Sequence, residues 1–216
     1  MAVCAFFGFI AFIVMISLVV GNIPQESGFS EKVIEESVSL NKLAIIDVSG
    51  VIMPGKNNDI LIDMIKAAGA DDNIKGIILN MDTPGGGVTA TDVVYNEIQK
   101  LRQNGKKVIT CMQSMAASGG YYLAAGTDYI VANKTTITGS IGVIISTWNG
   151  KEMMAKIGVK PQIFKSGRLK DGLSPGRDAT PEEKLVFQTM VDDMFNSFAE
   201  IVSAGRDIPL ETVKAS

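Results

Sequence analysis

Ser118 sits among small residues in a chain that contains no histidine. The stretch CMQSMAASGGYYLAAG, residues 111 to 126, gathers Ala116, Ala117, Gly119 and Gly120 around it and then runs into an apolar segment. Serine and glycine form helices poorly, so the pattern predicts a tight turn that opens a helix over Gly119 to Ala125, with the Ser118 hydroxyl at its mouth. A hydroxyl is a weak nucleophile and needs a base within hydrogen-bond reach. The absence of histidine excludes Ser-His-Asp, Cys-His and histidine-metal chemistry together. Aspartate, glutamate, lysine or an N-terminal amine remain. A lysine serves only when neutral. Lowering one from about 10.4 to about 7–8 costs about 4 kcal/mol, which burial and the lack of a counter-charge can supply.

A second candidate element is the glycine loop DTPGGGVTAT, which follows the apolar run GIILNM. Gly85, Gly87 and Ala90 fit G-x-G-x-x-A, a dinucleotide fingerprint that also needs an acidic residue near the end of the next strand. Between Glu97 and Asp128 there is none, and no G-K-[ST] phosphate loop occurs here. The other use of such a loop is to expose backbone N–H groups to an oxyanion, and a plain tight turn is the simplest reading of all. Consecutive strands of a parallel sheet end on one edge. The glycine loop and the Ser118 turn should therefore face each other across a crevice, with the Gly119 N–H as a possible oxyanion donor.

The elements that must hold these loops read as strand alternating with helix. LAIIDV (43–48), GIILNM (76–81), KVITCM (107–112), DYIVA (128–132) and PQIF (161–164) are short, apolar and β-branched, which suits buried strands. Asp59 to Ala68 and Thr89 to Asn104 have helical spacing, the second with Val94, Ile98 and Leu101 on one face, Thr89 and Asp92 as its expected cap, and Gly105 as its stop. ATPEEK predicts a last helix capped by Thr180, with Pro181 first inside and Glu183 closing a capping box. The order implies an α/β fold with a mostly parallel sheet and flanking helices.

Charge and composition limit the partners. The chain has 216 residues and a net charge of -3, with no basic cluster, which argues against nucleic acid. Cys4 and Cys111 are its two cysteines, so neither a disulfide framework nor a zinc site is expected. Ala2 to Val20 is a 19-residue run without a charge. As a helix it would reach about 28 Å, close to a bilayer core. No Ala-x-Ala cleavage site follows it, and residues 22–40 carry four glutamates against Lys32. This predicts a transmembrane anchor (1–21), a juxtamembrane linker (22–41) and a C-terminal domain (42–216) on the extracytoplasmic side.

DTPGGG, SMAASGGYYLAAG, TGSIGV and KSGRLKDGLSP, in that order and spacing, resemble the membrane-anchored signal peptide peptidases. These are Ser–Lys serine proteases related in fold to Clp proteases and crotonases, and the likeness runs from about Leu43 to Arg206. It implies that Ser118 is the nucleophile, that Lys170 rather than Lys165 is the general base, and that Ser140 orients the lysine amine. It also implies Gly86 and Gly119 N–H groups as oxyanion donors. No cofactor or metal is implied. Substrates would be remnant signal peptides or other short, unfolded hydrophobic chains at the membrane, bound along strand edges. The partners implied are the lipid bilayer and a ring-like homo-oligomer, whose subunits in some members share the serine and lysine. Members usually continue with a further strand and helix beyond ETVKAS, and no basic residue precedes the apolar run, so a fragment at both ends is expected.

Other residues have plainer readings. Ser114 fits a packed turn, Cys111 an inert strand end, and Lys165 and Lys184 solvated surface lysines. Most methionines, among them Met53, Met64, Met153, Met154, Met190 and Met194, suit core filling, with an adaptable peptide groove as the alternative. Arg168 and Asp171 flank Lys170 and should point away from it, since a carboxylate contact would keep the amine charged. Two competing functions share the pattern: a crotonase-like acyl-CoA enzyme, for which Asp82 is the loop carboxylate, and an inactive peptide-binding membrane scaffold.

Overall fold

The computed structural model describes residues 29–36 and 39–215. The chain divides into two units, residues 1–36 and 37–216, and the sheet and its helices belong to the second. Among the described residues no helix is long and apolar enough to cross a membrane. The expected anchor, residues 1–21, lies outside them.

Four parallel strands form the sheet in chain order: β1 (Lys42–Ser49), β2 (Ile74–Thr83), β3 (Lys107–Ala117) and β4 (Tyr129–Ala132). A short fifth strand, β5 (Ile137–Gly139), pairs in parallel with the C-terminal end of β3. Between the strands lie α1 (Lys56–Ala70), α2 (Val88–Gln103) and α3 (Gly119–Ala125). They are followed by α4 (Lys151–Lys156), the long α5 (Pro181–Arg206) and α6 (Leu210–Lys214). The α/β architecture with a mostly parallel sheet is the one the alternation of apolar runs implies.

β2 and β3 are central, and Ile77, Leu79, Met81 and Val108 on them are almost fully buried. Ile65 of α1, Val94 and Ile98 of α2 and Leu123 of α3 close over that face. Each such side chain removed from water contributes about 1.5–3 kcal/mol. α5 then adds Phe198, Ala199 and Val202 to the same core. Its N-terminus is capped as the sequence predicts: Thr180 Oγ1 accepts the Glu183 N–H at 3.2 Å, and Glu183 accepts the Thr180 N–H at 2.8 Å.

Several expectations fail for identifiable reasons. β1 and β4 are not buried on both faces; Leu43 and Ile45 of β1 and Tyr129 and Val131 of β4 are exposed, because among the described residues nothing packs over that side of the sheet edges. PQIF forms no strand: it pairs with nothing, and Phe164 is 92% exposed. β-branched apolar residues favour a pleated surface only when a neighbouring strand supplies one. α2 begins at Val88 behind Gly87, with no side-chain cap from Thr89 or Asp92. There the glycine loop enters the helix directly, since the Gly87 N–H is already bonded to the Ile52 carbonyl at 2.8 Å. β3 runs on through Ala117, so residues 113–117 are strand rather than turn, and Ser114 is an exposed strand residue.

Candidate active site

The site begins with a slip in register. Met81 pairs with Met112, but the next pair is Thr83 with Ala116, so β3 advances four residues while β2 advances two. Such a bulge bends a strand and re-aims the residues beyond it. The Asp82 carboxylate steadies it by accepting the Met115 N–H at 3.1 Å. Two residues later the strand ends, and Ser118 turns the chain straight into α3 with φ 51° and ψ -119°. A side chain in that region carries about 1–3 kcal/mol of strain and persists only where its surroundings enforce it. Here the Ser118 N–H donates to the Gly139 carbonyl at 2.8 Å, and the Ser118 carbonyl accepts the Tyr122 N–H at 2.9 Å. A strained strand-to-helix turn of this kind lifts a nucleophile above a sheet edge. Close packing allows only small neighbours: a Cβ on Gly120 would lie 2.7 Å from the Thr83 Cγ2.

The glycine loop faces this turn, as parallel topology requires. A Cβ on Gly85, whose φ is 93°, would lie 2.5 Å from the Gly119 nitrogen and 2.9 Å from the Ser118 Cβ. A Cβ on Gly119 would lie 3.2 Å from the Gly86 nitrogen. The loop is braced from behind. The Ile52 N–H donates to the Gly85 carbonyl at 2.9 Å and the Ile52 carbonyl accepts the Gly87 N–H, while a Cβ on Gly86 would collide with that carbonyl. Gly86, Ser118 and Gly119 thus line one cleft.

Its walls come from side chains that the motifs did not single out. Thr91 and Tyr122 line it, and so do Met194 and Phe198, one turn apart on α5. The i, i+4 spacing of Met194 and Phe198 was the available signal. Tyr122 donates its hydroxyl to Asp92 at 2.7 Å, and burial together with that carboxylate holds its phenol well above the usual tyrosine range, so it stays neutral. Met194 is the methionine that serves the cleft. Met53, Met153 and Met190 are exposed rather than core-filling, and the core methionines are Met81 and Met112.

Lys170 and Ser140 lie on the segment between β5 and α5. Ser140, exposed, follows Gly139 with φ 52°. Lys170 occupies an exposed turn whose N–H donates to the Gly167 carbonyl at 3.2 Å, and it is not among the residues lining the cleft of the isolated chain. Lys165 is not simply solvated: its ammonium donates to the Asp171 carboxylate at 2.6 Å. Arg168 pairs with Glu182 and Asp171 with Lys165 and Arg177, so both neighbours of Lys170 are engaged elsewhere. Among the described residues no cluster of acidic or cysteine side chains could hold a metal.

A strained serine at the end of a central parallel strand, opposite a glycine loop and heading a short helix, defines a hydrolase-type site on a Clp-like α/β scaffold. The family model described as Clp protease matches residues 29–147, and that described as peptidase family S49 matches residues 100–216. The chain belongs to peptidase family S49. It is 34% identical over 195 residues to the Enterococcus faecium protein named "Putative signal peptide peptidase SppA", covering 86% of this chain and 57% of that one. It is 33% identical over 174 residues to Protease 4 of Haemophilus influenzae, covering 78% of this chain and 28% of the relative. With the chloroplastic serine protease SPPA of Arabidopsis thaliana it shares 32% identity over 155 residues, 71% of this chain and 23% of that one. The chain therefore spans just over half the length of the first of these relatives and about a quarter of the other two.

Proposed function

We propose that this chain is a membrane-anchored serine endopeptidase that cleaves remnant signal peptides or other short, unfolded hydrophobic chains through a Ser118–Lys170 dyad. The observation that carries the reading is the strained Ser118 turn set against Gly86 and Gly119. The neutral Lys170 amine takes the Ser118 proton as Oγ attacks the peptide carbonyl. The Gly86 and Gly119 N–H groups receive the developing oxyanion, a type of donor whose loss costs about 10²–10³ in rate. The lysine ammonium then protonates the leaving amine, which departs and leaves an acyl-serine. Water gives a proton to the regenerated amine and hydrolyses that ester, restoring both side chains. Lys165, tied to Asp171, is the poorer base because it keeps a carboxylate partner.

In this reading Lys170 meets its serine in a ring-like homo-oligomer whose neighbouring subunits shape the groove. The segment carrying Lys170 supports this, because Ile144, Trp148 and Phe164 along it are 87%, 89% and 92% exposed. Such apolar side chains on one arm suit a protein partner and would dry the lysine when covered. Residues 1–21 serve as the membrane anchor and 22–41 as a linker, with the 42–216 domain outside the cytoplasm. The acyl-CoA alternative finds less support, since the Asp82 carboxylate it needs is bonded to the backbone of β3.

A fluorophosphonate or peptide boronate tests the assignment directly. Mass spectrometry should locate the adduct on Ser118, and an adduct on Ser114 or no adduct at all would overturn it.

A further inference from the structure

The charged cluster between the Lys170 turn and the start of α5 has no part in the dyad chemistry, yet its groups are densely bonded to one another. Arg177 is its centre. Its Nε donates to the Asp171 carboxylate at 2.9 Å and its Nη2 to the Asp171 carbonyl at 3.2 Å. Its two terminal nitrogens also grip the Glu183 carboxylate, Nη1 at 2.8 Å, in the two-pronged geometry that only arginine offers. Glu183 is 1% exposed and is itself fixed by the Thr180 capping box. The Asp171 side chain is 11% exposed. Asp171 is the residue directly after Lys170, and α5 is the helix whose Met194 and Phe198 wall the Ser118 cleft.

We propose that Arg177 is a positioning residue for Lys170: it clamps Asp171 to Glu183 at the head of α5, fixing the lysine turn to the helix that walls the cleft and withdrawing the adjacent carboxylate from the amine. This rests on Lys170 being the base. Around it Lys165 shares the Asp171 carboxylate, Arg168 pairs with Glu182 and Lys151 with Asp178. Loss of Arg177 would leave Asp171 with Lys165 alone, on Oδ1, and would free its Oδ2 and its tie to Glu183 beside Lys170. Released, that carboxylate pairs with the Lys170 ammonium and opposes its deprotonation.

The test compares pH–rate profiles of the wild type, R177Q and the double variant D171N/R177Q on an unfolded apolar peptide, with fluorophosphonate labelling to count competent sites and thermal melting to confirm folding. R177Q should lose about tenfold or more in kcat with KM nearly unchanged, as expected for a misplaced catalytic group. Its half-activity pH should rise by about one unit. In the double variant kcat should stay low while the half-activity pH returns to the wild-type position, which a purely structural role would not produce. A wild-type profile in R177Q, or the same displaced limb in the double variant, overturns the proposal. K170A retaining activity overturns the lysine assignment instead, so the two failures are told apart. Should R177Q fail to fold, R177K keeps the cation without the fork, and an unchanged kcat there counts equally against the clamp.

Discussion

Ser118 and Ser140 leave neighbouring parallel strands one step beyond a paired couple, Ala117 and Gly139, and both do so at a left-handed φ, 51° and 52°. The bond from the Ser118 N–H to the Gly139 carbonyl joins the two turns. The strain at Ser118 is thus held in part by the strand that ends at Gly139. This pairing sets Ser140, expected to orient the base, at the same level of the sheet as Ser118, expected to attack.

Ser118→Ala and Lys170→Ala should each lower peptide cleavage by at least about a thousandfold, because the two groups act as a unit. Circular dichroism should show both variants folded. Retention of most activity by K170A would redirect the search to Lys165.

Gly119→Ala should cost about 10²–10³ in kcat with a smaller loss of stability. The added methyl would lie 2.6 Å from the Thr91 Oγ1 and 3.2 Å from the Gly86 nitrogen, inside the space where an oxyanion must sit. Steady-state kinetics with a matched melting curve separate the two effects.

Rate should climb with pH as the base loses its proton, then level off. A profile flat down to pH 5 would exclude a lysine base.

Acid stability should depend on Glu183, whose carboxyl Arg177 and the Thr180 N–H hold down to about 2. A carboxyl lowered on folding stabilises the protein above its unfolded value near 4.5 and loses that contribution as pH falls toward 2. Glu183→Gln should therefore flatten the stability curve between those limits, as read by urea denaturation at several pH values. Thr180→Ala, which removes the cap alone, should cost about 1 kcal/mol at neutral pH.

Local rules explain what the sequence made legible. The N-terminal cap of α5, the stop at Gly105 (φ 81°) and the central strands follow from propensity and periodicity, and the meeting of the two loops follows from parallel topology. What escaped depends on long-range pairing. β5 is three residues long and exists because β3 runs past its bulge to meet it. PQIF has the right composition but no partner strand. Phe198 joins Met194, already a candidate groove methionine, at the cleft only because α5 folds back over α3, a return no local pattern announces. The choice of Lys170 over Lys165 rests on resemblance, since no local pattern in GRLKDG or FKSG separates the two lysines.

The serine and the lysine proposed as nucleophile and base are rooted in ground of unequal firmness. Ser118 follows the most interior strand of the sheet, while Lys170 sits in an exposed run, residues 159–170, held by a few turns and ion pairs. Gentle warming should therefore loosen the amine's perch first, leaving a serine correctly poised with nothing to take its proton. Such a molecule goes silent while its spectrum still looks native, and it recovers on cooling so long as the sheet beneath has not come apart.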